Sequence, residues 1–378
     1  MPSVKHFSPA TTLTEETHQP TAVPARRLLV AASGTGGHLF PALAVAEKLS
    51  NYQIEWLGVP DRLETRLVPA DYPLPTIGVQ GFQQKLSLRS VTIGAKLVRA
   101  VFQVRSLLQQ GKFGGVLTTG GYIAAPAIIA GRSLGLPTIL HESNAWPGKV
   151  TRWLSPWCHI VALGFEAAAQ HLPPAKAVYV GTPVRAEFLQ ASRLELAVPP
   201  DVPLLVVAGG SQGAVAINRL VRQCAPTWLN AGLWIVHLTG DQDPEVNSLQ
   251  HPHYLPMPFY QNMAPLLHRA NLAISRAGAG TLTELAVTGT PAILIPYPYA
   301  AEDHQSLNAA VFAASGAALV FQETDLTAQR LEQEVSRLLR SPQALEPMAQ
   351  QTASLAVTDS AERLAALVRR LMEPEAAG

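Results

Sequence analysis

Cysteine is scarce in this chain of 378 residues: Cys158 and Cys224 are the only two. Two cysteines cannot build a disulfide scaffold, and they fit inert buried thiols in a reducing compartment. The eleven histidines are scattered, with no H-E-x-x-H and no C-x-x-C, so no metal site is expected. Charge is sparse as well, at 15% of residues against 48% hydrophobic. That balance fits a globular protein with large buried sheets. The length exceeds what one core usually serves, so two domains are expected.

Acid is missing from a long internal stretch. Between Tyr72 and His141 there is no Asp or Glu, yet the segment holds Lys85, Arg89, Lys96, Arg99, Arg105, Lys112 and Arg132. The whole chain carries a net charge of only +1. Cations concentrated in one part of a nearly neutral protein imply an anionic partner on one face. Within 85–108, Ile93, Leu97, Val101, Val104 and Leu108 share one helical face, and Arg89, Lys96 and Arg99 a neighbouring one. An ordinary amphipathic surface helix has this pattern, and so does one that docks on an anionic membrane. Interleaved aromatics beyond Phe82 and Phe102 are lacking, which counts against nucleic acid.

Residues 1–25 have no apolar run and therefore no signal-peptide core, so a disordered tail is expected there. The uncharged stretch 113–131 contains five glycines, two threonines and Pro126. A strand, a loop and a helix of a buried layer fit it better than a membrane span.

What remains is a repeated rhythm. "RLLVAAS" (27–33) reads as a strand and "PALAVAEKLS" (41–50) as a helix. Further strands are expected at 54–59, 76–79, 115–119, 137–143, 160–164 and 177–181, with helical stretches between most of them. Near Pro183 the pattern restarts with "LLVVAGGSQGAVAINRLVRQ" (204–223), followed by strands at 233–240, 253–257, 271–275 and 291–298. The expected fold class is α/β, with two Rossmann-like domains whose parallel sheets face a central cleft. Ligands of such sheets bind beyond the carboxyl ends of the strands. A last helix near 360–372 carries Leu364, Leu367 and Leu371 on one face.

Glycine-rich turns mark the chemistry. Gly34-Thr35-Gly36-Gly37 follows a strand and precedes a helix, where backbone N–H groups and the helix dipole favour phosphate. Pro41 is expected in the first helical turn. The dinucleotide fingerprint fails because position 39 is Leu39, and no P-loop lysine follows, so no cofactor is expected. The turn is thus either a close-approach site or simply a tight turn. Gly209 to Gly213 repeats it, and Gly278 and Gly280 open a third turn before Thr281, Thr283 and Glu284. Such residues commonly cap helices, but Glu284 could also accept ribose hydroxyls. Asp303, His304, Gln305 and Asn308 open another helix, where a polar cap is the commoner case. His141, Glu142 and Asn144 end a strand, and Arg185 lies at the domain junction, where it could pair with phosphate. "DQD" (241–243) reads as a surface turn.

The motifs "GTGGH" (34–38), "GGYIAAPAIIA" (120–130), "HESN" (141–144), "GTPVR" (181–185), "GGSQGA" (209–214), "SRAGAGTLTE" (275–284) and "PYPYAAEDHQSLNA" (296–309) occur in this order. Their order and spacing resemble the MurG family, bacterial N-acetylglucosamine transferases that convert lipid I to lipid II. The likeness runs from Arg27 to the final helix. Ser33 stands where a third glycine is usual, and Ser143 where Gln is common.

The resemblance implies a GT-B fold. It implies a tail at 1–25, an acceptor- and membrane-binding domain at 26–182, a UDP-N-acetylglucosamine-binding domain at 183–357, and a helix at 358–373 returning to the first. It implies donor contacts at Thr35, Gly36, Gly37, Asn144, Arg185, Ser211, Tyr260, the run Ala279, Gly280, Thr281, Leu282, Thr283 and Glu284, and Gln305. Glu284 would take the ribose, and the uracil would sit near Tyr260. The partners implied are UDP-N-acetylglucosamine, lipid I and the cytoplasmic face of the inner membrane, with peripheral attachment. An α-linked donor and a β-1,4 product make the reaction inverting. One base must then take the acceptor 4-hydroxyl proton, and positive potential must stabilise departing UDP. His38 is the first candidate base and Glu142 the second. Helix N-termini and Arg185 can supply the potential without a metal. Another GT-B enzyme, a UDP-sugar epimerase or a non-catalytic nucleotide-sugar-binding module are the alternatives.

Overall fold

The computed structural model describes residues 5–6, 26–79, 88–173, 176–210 and 213–373, by backbone alone at 5–6, 88–93 and 342. It divides into two compact units, one of residues 1–185 and 359–378, the other of residues 186–358.

The first unit is built on a parallel sheet of β1 (Lys5–His6), β2 (Arg26–Ala31), β3 (Tyr52–Leu57), β4 (Gly115–Thr118), β5 (Thr138–Glu142), β6 (Ile160–Leu163) and β7 (Ala177–Tyr179). Their spatial order is β1-β7-β6-β5-β4-β2-β3. Strands β2, β4 and β6 are largely apolar because helices bury both faces. Those helices are α1 (Gly36–Ala46), α2 (Glu64–Leu67), α3 (Leu88–Gln110), α4 (Ala124–Ser133) and α5 (Lys149–Leu154). The uncharged stretch at 113–131 resolves into β4, a Gly120-Gly121 turn and part of α4. Among the described residues, no helix is long and apolar enough to cross a membrane.

The second unit repeats the plan with β8 (Leu204–Ala208), β9 (Trp234–Leu238), β10 (Tyr254–Met257), β11 (Leu272–Ser275), β12 (Ala292–Leu294) and β13 (Ala318–Val320), ordered β10-β9-β8-β11-β12-β13. Around this sheet run α6 (Val215–Asn230), α7 (Met263–Arg269), α8 (Ala279–Thr288), α9 (His304–Ala314), α10 (Ala328–Arg340) and α11 (Pro342–Ser354). Ile217, Val221 and Trp228 of α6 and Leu331 and Val335 of α10 fill the core beneath β8 and β11. The final helix, α12 (Ser360–Met372), belongs to the first unit, where Leu364 and Leu367 pack with Leu39, Ala42 and Val45 of α1.

Several expectations fail locally. Within the tail expected at 1–25, Lys5–His6 form the short strand β1, paired with β7. The helix after β2 starts at Gly36 rather than at Pro41, so Pro41 is an interior residue. It forfeits one helical hydrogen bond, the one its missing N–H would give to Gly37. "TIGV" (76–79) is not a strand: it makes a single bridge, Thr76 with Gly58, between Pro73, Pro75 and the end of the described segment. "DQD" is a surface turn only at Asp241 and Gln242, which are exposed; Asp243 is buried, with Arg222 holding its carboxylate through two hydrogen bonds of 2.8 and 2.9 Å.

Candidate active site

Each sheet has a point where the chain reverses its direction of travel across the strands. In the first unit it lies between β2 and β4, and in the second between β8 and β11. Open α/β sheets bind ligands beyond the carboxyl ends of the strands at this point. The glycine turns stand there in both units.

In the first unit, Ala32 to Thr35 lead from β2 into α1. Thr35 is the extended N-cap residue, and its carbonyl accepts from the N–H groups of His38 (3.0 Å) and Leu39 (3.2 Å). Its side chain makes no capping bond. Gly36 and Gly37 therefore form the first helical positions, whose N–H groups have no partner within a helix. His38 is part of the helix and not of the loop. Its Nδ1 lies 2.8 Å from the carbonyl of Thr119, just beyond β4. A carbonyl only accepts, so Nδ1 carries the proton, and in the neutral ring the basic lone pair resides on Nε2. The Thr119 hydroxyl donates back to the His38 carbonyl at 2.7 Å. Gly120, at φ +105°, lies flat against the imidazole, where a Cβ would meet the ring at 3.0–3.1 Å. Thr119 and Gly120 thus set the ring's tautomer and place. The signal for this contact in the chain is the glycine pair Gly120-Gly121 that closes the strand beside β2.

Glu142 ends β5 and is buried. One carboxylate oxygen accepts from the Asn144 backbone (3.0 Å) and Nδ2 (3.1 Å), the other from the Gly148 backbone (3.0 Å) and the Thr151 hydroxyl (2.6 Å). Four donors, from the Asn144 loop, the α5 N-cap Gly148 and Thr151 of α5, occupy it. Asn144 is thereby fixed through Glu142. Next to it, His141 is fully buried, and its Nε2–H donates to the Gly181 carbonyl at 3.0 Å. Burial pushes its pKa down to about 4, so the ring is neutral. Arg185 stacks its guanidinium on the Phe40 ring at 4.3 Å, which ties it to α1. Hence the structure brings Thr35, Gly36, Gly37, His38 and, through Phe40, Arg185 to one helix.

In the second unit, Ser211 lies outside the described residues, while Gly209, Gly210 and Gly213 frame its turn before α6. Below that turn is a buried polar cluster. Asn218 donates to the Thr239 carbonyl (2.8 Å) and to Asp243 (2.7 Å), and accepts from His237 Nε2 (3.0 Å). The Tyr254 hydroxyl donates to His237 Nδ1 at 2.8 Å. Burial lowers the His237 pKa to about 3.

Ala279 to Glu284 make up the first turn and a half of α8, with Gly278 as an extended N-cap and no side-chain cap. Thr283 donates to the Ala279 carbonyl at 2.9 Å, so it does not cap. Glu284 stands six residues into the helix, too far along for a capping box. Gln305 opens α9, and its side-chain oxygen accepts from the Ala277 (3.2 Å) and Tyr297 (2.9 Å) backbones. It thus locks the turn before α8 to the segment after β12. Asp303 is the N-cap of α9 in the left-handed region, at φ +55°, again without a side-chain cap. Tyr260 precedes α7, and its hydroxyl is buried without a hydrogen-bond partner among the described residues. Burial raises its pKa, with Glu195 adding to the shift.

With this geometry in hand, comparisons with known proteins are specific. The Glycosyltransferase family 28 N-terminal domain matches residues 28–163, and the Glycosyltransferase family 28 C-terminal domain matches residues 204–364. A relative from Nostoc sp. is 64% identical over 350 residues, covering 92% of this chain and 98% of the relative. One from Nostoc punctiforme is 65% identical over the same length and shares. Both are named UDP-N-acetylglucosamine–N-acetylmuramyl-(pentapeptide) pyrophosphoryl-undecaprenol N-acetylglucosamine transferase. Among solved structures, Acinetobacter baumannii MurG superposes with a TM-score of 0.72 at 30% identity, over 92% of this chain and 100% of that one.

Proposed function

The chain belongs to glycosyltransferase family 28, among the MurG transferases, and from that premise we propose its reaction and the parts its residues play. It has the GT-B fold. It transfers N-acetylglucosamine from UDP-N-acetylglucosamine to lipid I, forming lipid II. The identity of 64% over nearly the full length of a transferase of that name carries this conclusion.

His38 is the general base. Its Nδ1–H is spent on the Thr119 carbonyl, so Nε2 takes the proton of the attacking 4-hydroxyl. The carboxylate of Glu142 already accepts four hydrogen bonds, which suits holding the Asn144 loop and not proton abstraction. Thr35, Gly36, Gly37, Asn144 and Arg185 contact the donor from the first unit. Ser211, Tyr260, the run Ala279 to Glu284, and Gln305 contact it from the second. The uncapped N-terminus of α8 stabilises the charge that develops on UDP. Glu284 takes the ribose hydroxyls.

The first unit also meets the membrane, on its cytoplasmic face. Exposed Val98 and Phe102 alternate with Lys96 and Arg99 on α3, and Trp153 and Trp157 are exposed around α5. Apolar and basic groups on one unit fit an anionic lipid surface.

The test is acceptor choice. With UDP-N-acetylglucosamine and a lipid I analogue, the disaccharide lipid is expected. Transfer to diacylglycerol instead, epimerisation of the donor, or UDP binding without transfer would each point to one of the alternatives.

A further inference from the structure

We propose that Glu64 is a positioning residue for the turn that carries His38, acting through Ser33 and Gly34. The proposal rests on the transferase reading above.

Glu64 opens α2, in the loop that follows β3, and is fully buried. One of its oxygens accepts from the Ser33 hydroxyl at 2.6 Å and the Val59 backbone at 2.8 Å. The other accepts from the Gly34 backbone at 3.3 Å. Gly58 leaves room for it, since a Cβ there would meet Glu64 Cγ at 3.0 Å. A carboxylate without water is costly unless donors surround it, and these three supply that.

Two of the three donors belong to the turn between β2 and α1. Gly34 sits at φ +106°, and among the described residues nothing lies within 4 Å of where its Cβ would be. No side chain of its own anchors Gly34, and the hydrogen bonds from Ser33 and Gly34 tie the turn to Glu64. They turn the Gly34 N–H inward, towards α2. The Thr35 N-cap and the first N–H groups of α1 follow directly, and His38 with them. The arrangement also joins segments that follow neighbouring strands: Glu64 comes after β3, the turn after β2, and the Thr119 carbonyl that holds His38 after β4. The carboxylate touches no substrate atom in this scheme. It fixes the direction from which the base approaches.

The test is a double-mutant cycle read on kcat. Glu64→Gln keeps the volume but replaces an acceptor with an NH2 group. Misplacement of reacting groups by about 1 Å costs on the order of 10²-fold, so kcat should fall by about that factor while UDP affinity, measured by calorimetry, holds. Ser33→Ala should lower kcat several-fold, with UDP affinity and melting temperature unchanged. The double variant should be no worse than Glu64→Gln, because both act through one bond. Wild-type kcat in a folded Glu64→Gln protein, or losses that multiply in the double variant, would overturn the proposal. If Glu64→Gln does not fold, Ser33→Ala decides, and unchanged kcat overturns it. Amide exchange at Gly34 and Val59 separates this proposal from the transferase reading. It should speed up in Glu64→Gln even if the wild type makes no disaccharide, and unchanged exchange overturns the brace.

Discussion

His38 and Thr119 hold each other twice: the imidazole Nδ1–H donates to the Thr119 carbonyl at 2.8 Å, and the Thr119 hydroxyl donates to the His38 carbonyl at 2.7 Å. The pair joins the start of α1 to the end of β4, where the order of strands reverses. Removing the ring should therefore remove the proton acceptor and leave the nucleotide contacts proposed for the second unit intact. His38→Ala is expected to lower kcat by about 10²–10⁴-fold, the usual worth of a general base, with UDP affinity unchanged by calorimetry. Gly120→Ala should also lower kcat, since its Cβ would press on the ring from 3.0–3.1 Å and the backbone there sits at φ +105°. Unchanged turnover in His38→Ala would remove it from the base role.

Glu142→Gln should behave differently. The amide can accept on one side only, so the segment from Asn144 into α5 loses some of its four bonds. Hydrogen bonds to charged groups contribute about 1.5–3 kcal/mol each, so the melting temperature should drop by several degrees. The pH–kcat profile should keep its ascending limb. Loss of that limb would make Glu142 the base.

Stability should fall with acid between about pH 6.5 and pH 4. The folded-state pKa of His141 is about 4 and that of His237 about 3, against 6.5 when unfolded. In that window the unfolded chain binds protons that the folded one does not, so stability is full above 6.5 and is lost as pH falls. Each such proton contributes a slope of about 1.4 kcal/mol per pH unit. His237→Gln can accept from Tyr254 and donate to Asn218 as the neutral ring does, and its thermal melts should show a shallower pH dependence. Equal slopes would mean that His237 is not buried neutral.

Reversing charge at Arg89, Lys96 and Arg99 should weaken binding to anionic vesicles. Each basic residue near such a surface contributes about 1 kcal/mol, and the effect should fade with salt. Vesicle co-sedimentation checks this. Binding equal to wild type would leave the stripe as plain surface.

Much of this was legible in the chain. Apolar runs ending in glycine marked β2, β4, β8 and β11 as strands whose carboxyl ends carry turns, and the restart near Pro183 marked the second sheet. The start of α1 was not legible. Gly36, Gly37 and Pro41 all discourage helix locally, yet Thr35 adopts the extended N-cap geometry and the helix runs through them. Glu64 was missed because "DRLETRL" looks like a solvated face, and two of its three donors lie 30 and 31 residues upstream. Asp243 was misread for the same reason, since Arg222 reaches it from 21 residues away. Local pattern shows where a backbone turns. It does not show which distant charge is folded beneath it.

The anomeric configuration of the product tests the central claim most directly. Wild-type protein, UDP-N-acetylglucosamine and a lipid I analogue should yield a disaccharide whose proton spectrum shows a β-1,4 linkage, as single displacement by a His38-activated hydroxyl requires. An α-linked disaccharide, or a donor converted without transfer, would contradict the account.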